Sequence, residues 1–389
     1  MRDFKAELEQ RREKGLYRWR RQVETPQRPD MIVDGRSVLS FCSNDYLGLA
    51  NHPDAIAAVR EALPETGVGG GASHLICGHH SAHHRLEQSL ANFSRREAAL
   101  FFSTGYMANM GVVSALAGRG DTIFSDQLNH ASLIDGCILS RAQIKRYPHA
   151  DMAALEALLA DTDGHKLVVT DGVFSMDGDI APLPELVALC KQHDALLVVD
   201  DAHGFGCVGP EGRGSAAHFG LSQDDVPIVI GTLGKAFGTS GAFVAGSALM
   251  MDYLVQKART YIYTTAMPPA VAQATCTSIR LVREADDRRE HLARLVVRFR
   301  REAARLGYAL MPSDTPIQPI MVGDAWSALA LSKALEARGI WVTAIRPPTV
   351  PEGESRLRVT FSASHTEAHL DKLLSALGDA QRELPGHAA

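Results

Sequence analysis

The chain of 389 residues has no cysteine pair placed to act together. Its six cysteines (Cys42, Cys77, Cys137, Cys190, Cys207 and Cys276) are widely scattered, with no C-x-x-C spacing, so free thiols in a reducing compartment are expected rather than a disulfide framework. No apolar run approaches the ~20 residues of a membrane span, and no membrane partner is expected. The opening MRDFKAELEQRREKG mixes both charge signs and lacks the apolar core of a secretory signal, which makes a cytoplasmic protein the expectation. Positive charge is not in excess: 40 Lys and Arg against 45 Asp and Glu leave a net −5, a field that does not gather nucleic acid. Repeats and low-complexity segments are missing too. What is there, 46% hydrophobic and 22% charged residues with 33 glycines, suits a soluble globular enzyme with more than one domain.

From residue 98 onward a strand, loop and helix pattern repeats. Apolar strands are expected at 98–102, 121–124, 166–170, 195–199 and 226–230, with helical segments such as 107–116, 152–159 and 183–193 between them. This alternation implies an α/β domain whose mainly parallel sheet is covered by helices on both faces. Before it come a charged helix over 2–21, with Phe4, Leu8, Leu16 and Trp19 as its apolar contacts, and a hairpin turning at Asp34-Gly35. After it come a long helical region over 270–306 and a strand-and-helix tail. In RLRVTF (356–361) the side chains alternate, so Leu357, Val359 and Phe361 should face a packed layer and Arg356, Arg358 and Thr360 the other side. The expected division is an N-terminal segment 1–46, a large α/β domain 47–285 and a smaller α+β C-terminal domain 286–389.

Polar groups collect where these strands end, the edge at which open α/β sheets bind ligands. The run ending in Gly231-Thr232-Leu233-Gly234 presents Lys235 among small residues. It is either a solvated turn lysine or an amine held in a closed site to form a Schiff base, and the second use requires its pKa to be depressed. Asp200 follows LLVV, where a buried carboxylate could keep a pyridine nitrogen protonated, and His203 follows it; His130 could stack on a ring. Gly105 and Tyr106 open a helix whose N–H groups suit a phosphate, with Ser103, Thr104 and Thr232 hydroxyls nearby. Ser175 lies after a third strand. Each has a bland reading as cap, turn former or core residue; joint occurrence at one edge favours a phosphate-bearing aldehyde cofactor. The glycines at 67–71 do not follow a strand as a dinucleotide loop would, and fit close backbone approach better. His79, His80, His83 and His84 could place two imidazoles on one helix face, but no third ligand is visible and no metal is expected. Arg11, Arg12, Lys14, Arg18, Arg20 and Arg21 form either a solvated face or an anchor for an anionic substrate.

Seven stretches, SNDYLGL (43–49), NHASLIDG (129–136), DGVFSMDGD (171–179), VDDAHGFG (199–206), GTLGKAFG (231–238), IYTTAMPP (262–269) and TAIRPPTVPEG (343–353), stand in one family's order along nearly the whole chain. On them the chain resembles the pyridoxal-phosphate α-oxoamine synthases of fold type I, in particular their alanine-using, biotin-pathway branch. The resemblance implies a large domain with a mostly parallel seven-stranded sheet, a smaller C-terminal domain, and a homodimer with its sites at the subunit interface. It makes Lys235 the Schiff-base lysine, Asp200 the partner of the pyridinium nitrogen, His203 the contact of the phenolic oxygen and His130 the stacking residue that also touches substrate. Gly105, Tyr106, Ser175 and Thr232 match cofactor positions, and Thr264 and Thr265 match groups reaching the phosphate from the neighbouring subunit. Arg18 and Thr349 match substrate contacts, and Arg358 the arginine for the amino-acid carboxylate. The implied reaction is decarboxylative condensation of L-alanine with a pimeloyl thioester of coenzyme A or acyl carrier protein. A glycine C-acetyltransferase-like relative is the alternative, and an aminotransferase or lyase on the same scaffold a more distant one.

Overall fold

The computed structural model describes residues 2–383, which divide into two compact units: residues 49–175 with 180–286, and residues 2–48, 176–179 and 287–383. The first unit is built on a seven-stranded sheet, in the order Ala98–Phe102, Ala242–Gly246, Ile228–Thr232, Ala195–Asp200, Lys166–Asp171, Thr122–Asp126, Gln143–Tyr147. The last five of these run parallel to one another, while Ala242–Gly246 is antiparallel to both its neighbours. Central strands buried on both faces need unbroken apolar runs, and Leu167-Val168-Val169, Leu197-Val198-Val199 and Ile228-Val229-Ile230 are all buried. Gln143–Tyr147 is absent from the expected strands because QIKRY is polar and only Tyr147 is buried. An edge strand exposed to water carries no apolar signal.

Helix Gly105–Leu116 packs on this sheet through Ala108, Val112 and Val113. A Cβ at Gly111 would overlap the Thr260 hydroxyl, so glycine there lets the helix settle. The glycines at 67–71 follow a helix, Pro53–Thr66; only Gly70 among them serves close backbone approach, a Cβ there meeting the Ala266 carbonyl, while Gly67, Gly69 and Gly71 have open space. The expected helical region over 270–306 consists of two helices, Pro269–Arg283 and Asp286–Arg305.

In the second unit the hairpin Asp30–Val33 and Arg36–Ser40 turns on Asp34 (φ 50°) and Gly35 (φ 73°), left-handed at both positions as a two-residue turn requires. Ile340–Trp341 adds to it in parallel. A separate antiparallel sheet has Ser355–Thr360 between Ile317–Gly323 and Thr343–Ile345. Here two expectations fail. Helix Phe4–Glu13 is shorter than 2–21 and buries none of its side chains; Gly15 at φ 65° lies just past its end, and Phe4, Leu8 and Trp19 are exposed. The strand Ser355–Thr360 is buried on both faces rather than one. Its arginines tolerate this because Arg356 pairs with Asp177 and Glu354, while Arg358 donates to Asn44 Oδ1 at 3.0 Å and Thr360 Oγ1 at 2.9 Å. No helix among the described residues is long and apolar enough to cross a membrane.

Candidate active site

The parallel register places Asp171 beside Asp200, and Asp200 beside Ile230, so one sheet edge gathers the groups that follow these strands. The turn after Thr232 is pinned by Leu233 N–H to Gly241 O (2.9 Å) and Thr239 N–H to Leu233 O (2.9 Å). Gly238, at φ 67°, closes it where a side chain would strike the backbone of Ala50. This turn holds Lys235 with its Nζ 2.7 Å from His203 Nε2. Both line a cavity of about 200 Å³ together with Gly105, Tyr106, His130, Ser175, Asp200 and Thr232. Eight residues expected from sequence therefore meet in one place.

The helix from Gly105 starts at this cavity. Thr104 caps it, its Oγ1 accepting Met107 N–H at 3.1 Å, so the hydroxyl expected for a phosphate also serves the helix. Gly105 and Tyr106 carry first-turn N–H groups that have no acceptor within the helix. A Cβ built on Gly105 would come no nearer than 4.0 Å to Thr232, which leaves room between the helix start and the Thr232 hydroxyl. The Tyr106 hydroxyl donates to Asp135, and its ring meets His130 edge-on at 6.4 Å.

Asp200 is buried, with Oδ2 accepting Asn109 Nδ2–H at 2.5 Å and Oδ1 accepting Ala202 N–H at 3.1 Å. A carboxylate oxygen accepts two bonds, so capacity remains for a cationic ring N–H. His130 caps its helix: its Nδ1 accepts Ser132 N–H at 3.3 Å, and the His130 backbone N–H donates to Asp171 Oδ2 at 2.8 Å. Burial pushes the His130 pKa down, Asp200 opposes this and Lys235 adds to it. Burial and then the Asp200 charge push Asp171 well up. Asn109, Ser132 and Asp171 line the cavity and are missing from the expected set. The signal for Asn109 was its place four residues after Gly105, on the same helix face; those for Ser132 and Asp171 were the motifs NHAS and DGVFS around residues already chosen.

Five expected residues do not line this cavity. Thr264 and Thr265 are not among its walls, and Thr265 bridges to Ser73. Arg18 and Thr349 meet in the other unit, Arg18 Nη2 donating to Thr349 Oγ1 at 3.2 Å on a separate cavity of about 810 Å³. Arg346 lines the same cavity and is held below its ordinary pKa by burial and by Arg18. Arg21 also lines it and pairs with Asp34 and Glu336. Arg358 sits in the buried strand already described.

Two of the four histidines, His80 and His83, serve the start of the helix Ser81–Ser94. His80 Nδ1 accepts Ala82 N–H at 3.1 Å; His83 Nδ1 accepts His80 N–H at 3.0 Å while its Nε2 donates to Met267 O at 2.8 Å. His74, which spacing alone did not reveal, brings its Nδ1 to 2.9 Å from His79 Nδ1. His83, the third imidazole of that group, is committed at both nitrogens.

Comparison with known proteins identifies the family. The aminotransferase class I and II family profile matches residues 36–377. An 8-amino-7-oxononanoate synthase of Marinobacter nauticus is 70% identical over 384 residues, 99% of this chain and 98% of the relative. Another, of Thioalkalivibrio sulfidiphilus, is 60% identical over 385 residues, 98% of each chain. Among solved structures, a high-resolution structure of SPT with PLP superposes with TM-score 0.93 at 35% identity, covering 97% of this chain and 96% of that one. An 8-amino-7-oxononanoate synthase of Francisella tularensis superposes with TM-score 0.78 at 31% identity, covering 89% and 98%. The chain thus belongs to the aminotransferase class I and II family and, within it, to the 8-amino-7-oxononanoate synthases.

Proposed function

We propose that this chain is a pyridoxal-phosphate-dependent C-acyltransferase that condenses L-alanine with a pimeloyl thioester, releasing carbon dioxide and the free thiol carrier and giving 8-amino-7-oxononanoate for biotin synthesis. The names of its relatives support the reaction, and the SPT structure with PLP supports the cofactor. The observation that carries the reading is the Lys235 amine, 2.7 Å from the His203 imidazole, in a cavity that also holds the Asp200 carboxylate. The residues fit the cofactor: Gly105 leaves space for a phosphate beside a helix start, and Asp200 keeps acceptor capacity for a protonated ring nitrogen.

When bound, pyridoxal phosphate supplies an aldehyde that condenses with amines and a ring that takes up the electron pair left by loss of a proton or of carbon dioxide. Asp200 holds the proton on the ring nitrogen, and His203 orients the Lys235 amine. Lys235 removes the Cα proton of alanine and returns one to the product at the end. His130, which lines the cavity, would stack on the cofactor ring, exclude water and contact substrate. Ser175 and Thr232 help to hold the cofactor. Arg358 is assigned to the alanine carboxylate, and Arg18 with Thr349 to the acyl substrate. A second copy of the chain supplies Thr264 and Thr265 to the phosphate. A cytoplasmic setting, with reduced cysteines, accords with this chemistry.

The test is to incubate purified enzyme with L-alanine and either pimeloyl-CoA or pimeloyl-acyl carrier protein, then identify the products by mass. One 8-amino-7-oxononanoate and one carbon dioxide per thiol released are expected, and the kcat/KM ratio identifies the preferred carrier. Carbon dioxide release that does not depend on thioester, or turnover of glycine or serine in preference to alanine, overturns the proposal.

A further inference from the structure

Two residues outside the family-matched cofactor set join His130 to Asp200. Asn109 and Ser132 are each 1% exposed, and the single Asn109 Nδ2 donates to both Asp200 Oδ2 (2.5 Å) and Ser132 Oγ (2.8 Å). The carboxylate accepts only, so it fixes which end of the Asn109 amide faces it. Both amide hydrogens are then used, and Asn109 Oδ1 is left buried without a hydrogen-bond partner among the described residues. Ser132 Oγ lies 2.7 Å from His130 Nδ1, and the Ser132 backbone N–H points at the same nitrogen from 3.3 Å. A nitrogen that accepts from a backbone N–H carries no proton of its own. The Ser132 hydroxyl, already accepting from Asn109, therefore donates to Nδ1 as well.

We infer that Asn109 and Ser132 are positioning residues that lock His130 as the neutral tautomer with its proton on Nε2, through one directed hydrogen-bond chain anchored on Asp200. His130 then offers a donor, not a base, at the nitrogen remote from the chain. The charged groups facing it are Asp200 and Lys235, with Asp171 engaging its backbone N–H. The assignment of proton abstraction to Lys235 rests on the proposed function, whereas the tautomer lock is a property of the chain itself.

The test is a long-range ¹H–¹⁵N correlation spectrum of histidine-labelled, perdeuterated protein, recorded with and without pyridoxal phosphate; a His130→Gln sample serves only to assign the signal. His130 should show an unprotonated Nδ1 and a protonated Nε2 throughout about pH 6 to 8. Ser132→Ala removes the 2.7 Å hydroxyl donor and leaves Nδ1 only the long 3.3 Å backbone N–H, too weak to hold the tautomer alone, so it should mix the two tautomers and lower kcat roughly five- to tenfold, the effect of one hydrogen bond, with little change in KM for alanine. Ser132→Thr, which keeps the hydroxyl, should restore both. A protonated Nδ1 in the parent protein overturns the inference, as does an unchanged tautomer in Ser132→Ala. If Ser132→Ala does not fold, the parent spectrum decides alone. A locked His130 in a protein that makes no product would refute the proposed function and leave the lock standing.

Discussion

Asp201→Asn measures how this fold accommodates a second carboxylate directly after Asp200. The Asp201 side chain is buried, 1% exposed, and packed where a Cβ on Gly172, Gly204 or Gly214 would overlap a carboxylate oxygen. Its Oδ2 accepts Ser215 N–H at 2.5 Å. Burial, reinforced by the Asp200 charge, lifts its pKa from the ordinary 3.8 to about 7. Below pH 3.8 the acid is protonated in folded and unfolded chains alike. As pH rises from there the unfolded chain ionises first, so the folded state loses stability until Asp201 itself ionises near pH 7. Across about three pH units, at about 1.4 kcal/mol each, the loss reaches about 4 kcal/mol. Asparagine never ionises and escapes this loss, while any cost of exchanging an oxygen for an amide does not vary with pH. The stability of Asp201→Asn relative to the parent should therefore rise by about 1.4 kcal/mol per unit between about pH 5 and 7, then level off. Urea unfolding of cofactor-free protein at matched ionic strength reads the difference, and Glu87 and Asp171, also pushed up by burial, cancel because both proteins carry them. A difference that stays constant with pH would refute the reasoning.

Three further outcomes are expected. Asp177→Ala leaves Arg356, 2% exposed, with Glu354 at 3.2 Å as its one carboxylate partner among the described residues, and should destabilise the protein by about 3 kcal/mol in denaturant melts; an unchanged midpoint would show the pair to be dispensable. Arg18→Ala should raise KM for the acyl thioester at least about tenfold without raising KM for alanine, while Arg21→Ala, whose partners are Asp34 and Glu336, should barely move either; steady-state kinetics showing the reverse order would reassign the anion contact. Gly231→Ala forces a methyl into the rings of Phe243 and Phe205 and should cost about 1–3 kcal/mol, visible as a lower melting temperature; an unshifted melt would mean the rings move aside freely.

The strands that hold the site were legible because burial on both faces demands apolar runs, and those at 166–170, 195–199 and 228–230 carry little else. Lys235, Asp200, His203 and His130 could be placed together because each stands just past such a run or opens the following helix. Gln143–Tyr147 was hidden by the polarity of an edge strand, and the double burial of Arg356 and Arg358 by partners distant in sequence, such as Asp177 and Asn44. Asn109 was obscured for a related reason: on an apolar helix one amide reads as a tolerated exception, and only the register of strand Ala195–Asp200 shows the carboxylate it meets. At Thr104 and at the histidines 80 and 83 the structure adds a helix-capping role that the sequence did not single out, since a capping side chain and a ligand-binding one have the same composition.

The most direct measurement is borohydride reduction of the pyridoxal-phosphate-loaded protein followed by digestion and peptide mass mapping. Stable cofactor attachment at Lys235 is expected, absent in Lys235→Ala and undiminished in Lys191→Ala. Attachment at another lysine, or none in a protein that still turns over alanine and thioester, would contradict the assignment of Lys235 as the reacting amine.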